Sequence, residues 1–198
     1  MNKGAITKKS ILNQAHELAS VYGLNALTIG SLAKSVGMSK SGLFAHFKSK
    51  ENLQVETLSL VSKSFTEQVL MPVLKVERGK PRLVAFFNAW KAWLQNLPKT
   101  GGCVLIAASS EFDDIPGPVN DFLKNAQLQL IDSISRIVES GIEEGDFDSN
   151  TDSKEFAFEM FSLMLGYHYY YRLLEDRNSI SYLETGFNKL LTTYSISI

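Results

Sequence analysis

A chain of 198 residues, 44% of them hydrophobic, can fill one medium domain or a small domain fused to a larger one, and this composition excludes intrinsic disorder. Its formal charge of −1 is a cancellation: residues 1–51 hold seven lysines against Glu17 and Glu51, a net +5, which leaves −6 for the remainder. The first part carries the electrostatics of something that approaches phosphate, and the second would be repelled by it.

Taken in chain order, the spacing predicts helices throughout, since no alternating β-branched run bounded by turns occurs, and the fold class expected is all-α. The first helix is expected from near Thr7, with Ile11, Leu12, Ala15, Leu18, Ala19 and Tyr22 as its stripe and Gly23 as its C-terminal cap. Thr28 can cap a second helix from Ile29 to Ser35, Gly37 supplies a tight turn, and Ser39 caps a third whose Leu43 and Phe47 face back onto the second. That is a helix-turn-helix, and it leaves Lys40, Ser41, Gly42 and Ala45 on the outward face. Ser49 can cap a fourth helix running on to Pro72, and the domain boundary is expected near Asn52, inside that helix. The division is then 1–52 for the reading head and 53–198 for a larger helical body.

In the body, helices are expected over Arg82–Leu97, Cys103–Ser109, Val119–Gly141, Ser153–Glu175 and Ser179–Thr193, separated by glycine, proline and acidic breaks. The last two are apolar around much of their circumference, more than packing on one side requires, and the second buried face implies a partner.

The stretch TIGSLAKSVGMSKSGLFAHFKSKENL resembles the DNA-binding segment of the tetracycline-repressor (TetR) family, with Leu43, His46, Phe47, Lys50, Glu51 and Leu53 at matching positions. GGCVLIAASSEFDDIPGPV resembles the regulatory half of some members. The resemblance implies a three-helix DNA-binding module joined through a shared fourth helix to a ligand-binding and dimerisation domain. It implies a homodimer formed by the last two helices as a four-helix bundle, with Phe158, Leu165, Tyr169, Phe187 and Leu190 at the interface.

On the DNA side, Lys40 near the start of a recognition helix can donate to guanine O6 and N7, Ser41 and Gly42 allow close approach, and Ala45 can touch a thymine methyl. Read without the motif, Lys40 is a solvated surface lysine. Thr28, Ser39, Phe44, His46 and Lys50 are assigned to phosphates. Phe44 departs from the family, which usually has tyrosine there, so a hydroxyl that commonly reaches the DNA backbone is missing.

For the body, Phe86, Trp90, Trp93, Phe112, Phe161 and His168 are the candidate lining of a pocket for a small apolar or aromatic effector; the same residues serve equally as plain core. Cys103 as the single cysteine excludes a disulfide framework and fits a reducing cytoplasm, and its two readings are a redox thiol or a small buried apolar residue. Glu111, Asp113 and Asp114 read as a polar turn rather than a metal site with His168, because no metal-type His or Cys spacing accompanies them, and no metal or cofactor is expected. No signal peptide, bilayer-length apolar run, nucleophile elbow or phosphate loop stands in the sequence, so export, membrane spanning and enzymatic activity are disfavoured.

Three functions remain: a repressor that binds a near-palindromic operator as a dimer and is released by a ligand, a regulator with no inducer, and a helical carrier protein whose basic head docks another protein.

Overall fold

The computed structural model describes residues 3–98 and 100–196, with side chains from Lys8 onward. The described residues are helical apart from turns and one isolated antiparallel bridge between Phe147 and Ser195. The helices are α1 Lys3–Tyr22, α2 Ile29–Val36, α3 Lys40–Phe47, α4 Lys50–Phe65, α5 Met71–Val73, α6 Lys80–Gln95, α7 Val104–Glu111, α8 Pro118–Glu143, α9 Ser153–Arg172 and α10 Ser179–Tyr194. The first is already helical at Lys3, ahead of the start expected near Thr7.

The fourth helix runs to Pro72 as expected, but not regularly. After Phe65 it widens into a π-helical stretch, Thr66–Leu70, before α5 closes it. Pro72 has no N–H to donate, and its ring excludes the carbonyl four residues back, so a wider turn ahead of it relieves the clash. Thr66 adds to this by donating its hydroxyl to the Ser62 carbonyl at 3.0 Å.

Two compact units emerge: residues up to Thr66 together with Leu97–Ala126, and Glu67–Asn96 together with Gln127 onward. This grouping differs from a boundary at Asn52. The reason is a shared core: Ile11, Ala15, Leu24, Leu32, Leu43 and Phe47 of the head are buried with Leu53 and Leu58 of α4 and with Val104, Ala108, Phe112, Val119 and Leu123. The second unit is centred on rings. Phe87 and Phe187 stack with centroids 3.8 Å apart, Phe86 and Phe161 each tilt onto Trp90, and Phe156 lies between Phe147 and Tyr194. Its loops are tied by polar contacts, with Ser140 Oγ accepting from Gly79 N–H at 3.1 Å and Asp146 accepting from Lys80 N–H at 2.7 Å.

Candidate nucleic-acid interface

The helix-turn-helix is set by three local devices. Thr28 Oγ1 accepts from Ser31 N–H at 3.0 Å while Ser31 Oγ accepts from Thr28 N–H, a reciprocal cap that fixes the entry to α2. Gly37 ends α2 at φ +66, a left-handed conformation that costs a glycine nothing. Ser39 Oγ then accepts from Gly42 N–H at 3.1 Å and starts α3. Leu43 and Phe47, both without solvent exposure, hold α3 onto the core with Leu32 and Ala33 of α2.

That inward pair fixes what faces outward. Lys40, Ser41, Phe44 and Ala45 are exposed and Gly42 is half-buried, so the residues assigned to base edges share one accessible face. Lys40 carries its ammonium over Gly30 at the start of α2. Around them, His46 is half-buried with its ring tilted on Phe47, and Lys50 Nζ donates to Asn25 Oδ1 at 3.1 Å. Ser49 caps α4, its Oγ accepting from Asn52 N–H at 3.0 Å, and the helix start with Ser49 holds the Glu51 carboxyl below its usual range, backbone hydrogen bonding being the larger cause.

Phe44 has a phenyl ring with no donor for a phosphate oxygen, and the side chain is 54% exposed, one helical turn beyond Lys40 on the same face.

The candidate pocket residues do not form one group. Phe86 and Trp90 are buried, with Phe161 in ring contact, while Trp93 and His168 are half-buried in the same unit. Burial, and then Arg172, push the His168 imidazole below its ordinary pKa. Phe112 lies in the other unit, in the core with Leu24 and Leu53, and borders a cavity of about 220 Å³ with Lys50, Gln54 and Val119. A cleft of about 360 Å³ between α9 and α10 is lined by Leu163, Gly166, Tyr167, Tyr170, Ser179, Tyr182 and Leu183, none of them among the six.

The interface residues also divide. Phe158 and Tyr169 are exposed at 70% and 55% and Leu165 is half-buried. Phe187 and Leu190 are each 3% exposed, with Phe187 stacked on Phe87, so both pack within the protomer's own core and offer little surface to a partner. Leu173, 64% exposed, and Tyr182, 58% exposed, carry further apolar surface near the ends of these helices.

Cys103 is buried at the start of α7, and Glu111 spends its carboxylate on backbone N–H groups of Leu24 and Asn25. Among the described residues no group of three or more His, Cys, Asp or Glu is placed to hold a metal, and no helix is long and apolar enough to cross a membrane.

A capped helix-turn-helix with a lysine-bearing outer face, followed by a helical body, defines the class of helix-turn-helix transcriptional regulators. Residues 11–57 match the family described as bacterial regulatory proteins, tetR family, and residues 79–187 match the tetracyclin repressor-like C-terminal domain. The chain belongs to the TetR family, whose members are regulators and not enzymes. Over 79 residues it is 34% identical to the HTH-type transcriptional regulator QacR of Staphylococcus aureus, a match spanning 40% of this chain and 42% of that relative. The fold is shared with a TetR transcriptional regulator from Chloroflexus aurantiacus, with TM-score 0.84 and 23% identity over 97% of this chain and 96% of that one. It is shared equally with a TetR-family regulator from Cytophaga hutchinsonii, with TM-score 0.86 and 18% identity over 100% and 99%.

Proposed function

We propose that this protein is a cytoplasmic repressor that binds a near-palindromic operator as a homodimer and is released by a small apolar or aromatic effector. The observation that carries the DNA part is the capped α2–α3 pair, whose inward Leu43 and Phe47 leave Lys40, Ser41, Phe44 and Ala45 on one accessible face. Residues 1–52 form the reading part and 53–198 the regulatory and dimer-forming part. Two copies would set their α3 helices in successive major grooves, roughly 34 Å apart. Lys40 reads guanine, Ala45 and Phe44 meet thymine methyls, and Thr28, Ser39, His46 and Lys50 face phosphates.

The dimer uses the apolar surface of the last two helices, exposed Phe158 and Tyr169 and half-buried Leu165 of α9, Leu173 just beyond its end and Tyr182 of α10, with the α9–α10 cleft beside it. A patch of this kind on a lone protomer is what association would bury. An effector that binds the body more tightly in a conformation with the heads splayed lowers DNA affinity by its differential affinity for the two states.

The test is selection of bound duplexes from a random DNA library by the purified protein at two salt concentrations. An inverted repeat with half-sites about one helical turn apart supports the reading; no enrichment, with binding that vanishes as salt rises, refutes it. On the selected site, Lys40→Ala is expected to lose about 1–3 kcal/mol of discrimination at one base pair, whereas Lys50→Ala weakens binding to all sequences and lowers the salt slope by about one unit. An unchanged specific-to-nonspecific ratio for Lys40→Ala would remove its assigned role.

A further inference from the structure

Glu111 ends α7, and both of its carboxylate oxygens are engaged by the loop between α1 and α2. Leu24 N–H donates to Oε1 at 3.1 Å and Asn25 N–H to Oε2 at 2.7 Å. Successive N–H groups turned to one side make a cradle for an anion, and here the anion is the protein's own carboxylate. Gly23 makes that approach feasible: it sits at φ +86, and a Cβ there would lie 2.9 Å from Glu111 Oε1.

The same loop is held from α4. Gln54, 2% exposed, donates Nε2 to the Leu24 carbonyl at 2.7 Å, and Asn25 accepts from Lys50 at 3.1 Å. A further tie joins the segment before α7 to the end of α1, Gly102 N–H donating to the Ser20 carbonyl at 3.2 Å. Three residues beyond Asn25 stands Thr28, the cap of α2, so whatever fixes this loop fixes where the helix-turn-helix begins.

We propose that Glu111 is a positioning residue for DNA reading: its carboxylate, seated in the Gly23–Asn25 loop, latches α7 to the entry of α2 and thereby sets the orientation of the recognition helix. The proposal rests on the regulator reading above and deepens it, because it names a residue outside the helix-turn-helix that sets how the recognition helix is held. Lys50, assigned to a phosphate, grips Asn25 in the same loop, so DNA contact and latch share one segment.

The experiment uses the full chain, as wild type, Glu111→Ala, Glu111→Gln and Glu111→Asp, on the selected inverted repeat and on versions with the half-site separation changed by one base pair. Glu111→Gln keeps one acceptor but turns an amide donor towards the other N–H, and Glu111→Asp retains the charge on a shorter stem. A fixed head pays heavily for altered spacing. In Glu111→Ala and Glu111→Gln that penalty is expected to shrink roughly tenfold, the scale of one charged hydrogen bond, with the salt slope unchanged because no phosphate contact is lost. Glu111→Asp restores part of the penalty, and amide exchange at Leu24 and Asn25 quickens in the order Asp, Gln, Ala. An unchanged spacing penalty with quickened exchange overturns the proposal and leaves Glu111 a structural staple. Should Glu111→Ala fail to fold, the Gln and Asp variants carry the same comparison. A wild type that enriches no inverted repeat defeats the regulator reading and the latch with it; an enriched repeat with an unmoved penalty defeats the latch alone.

Discussion

The two units are built from different materials. The first packs mainly small and aliphatic side chains, Ala15, Ala19, Leu24, Leu32, Ala33, Leu43 and Leu58, with Phe47 and Phe112 among them, and fixes its chain with directed polar contacts: the Thr28, Ser39 and Ser49 caps, Gln54 on Leu24, Glu111 on its cradle, and Lys8 paired with Glu56 at 2.6 Å. The second packs rings on rings, Phe86, Trp90 and Phe161 in one run and Phe147, Phe156 and Tyr194 in another. Hydrogen bonds fix angles, whereas ring contacts supply area and tolerate a range of tilts. A recognition helix has to arrive at DNA in one orientation, and directed contacts suit that demand; a regulatory body can draw its stability from volume.

The sharpest way to break this contrast is to remove one element of each kind. Phe86→Ala empties a fully buried ring position and is expected to cost about 3–5 kcal/mol in urea unfolding, while the folded fraction still binds the selected DNA. Thr28→Ala is expected to cost only about 1 kcal/mol, with a loss of DNA affinity larger than its loss of stability, because the cap fixes the start of α2. Equal stability losses, or DNA binding that tracks stability in both, would show that the units differ in composition and not in role.

The smallest effect is a pH dependence. Burial lowers the pKa of both His168 and His16 from 6.5; Arg172 adds to the shift at the first, whereas Glu17 opposes it at the second. A depressed folded pKa means that the unfolded chain takes up the proton first, so stability present above pH 6.5 is lost as pH falls through that value towards the folded pKa. Thermal melts between pH 7 and 5 are expected to flatten more in His168→Gln than in His16→Gln. The reverse order would place the greater burden on the first unit.

The helix-turn-helix is legible from its residues almost position by position, because its signals are local: a cap oxygen reaches an N–H three residues on, a glycine takes positive φ, and Leu43 and Phe47 fall one turn apart on α3. Helix existence in the body was legible for the same reason, and so was the charge division between head and remainder. Which apolar residues point inward is settled by packing between segments far apart in the chain. Phe158 and Phe187 look alike in sequence, yet one is exposed and the other is stacked on Phe87, since a helix apolar on most of its circumference does not declare which stripe meets its own chain. The grouping of α7 with the head depends on contacts between distant segments. Glu111 shows this most directly: it closes α7 just ahead of an acidic turn, with nothing beside it in sequence to name a partner, and its two hydrogen bonds reach back 86 and 87 residues, a pairing that only the folded chain can bring about.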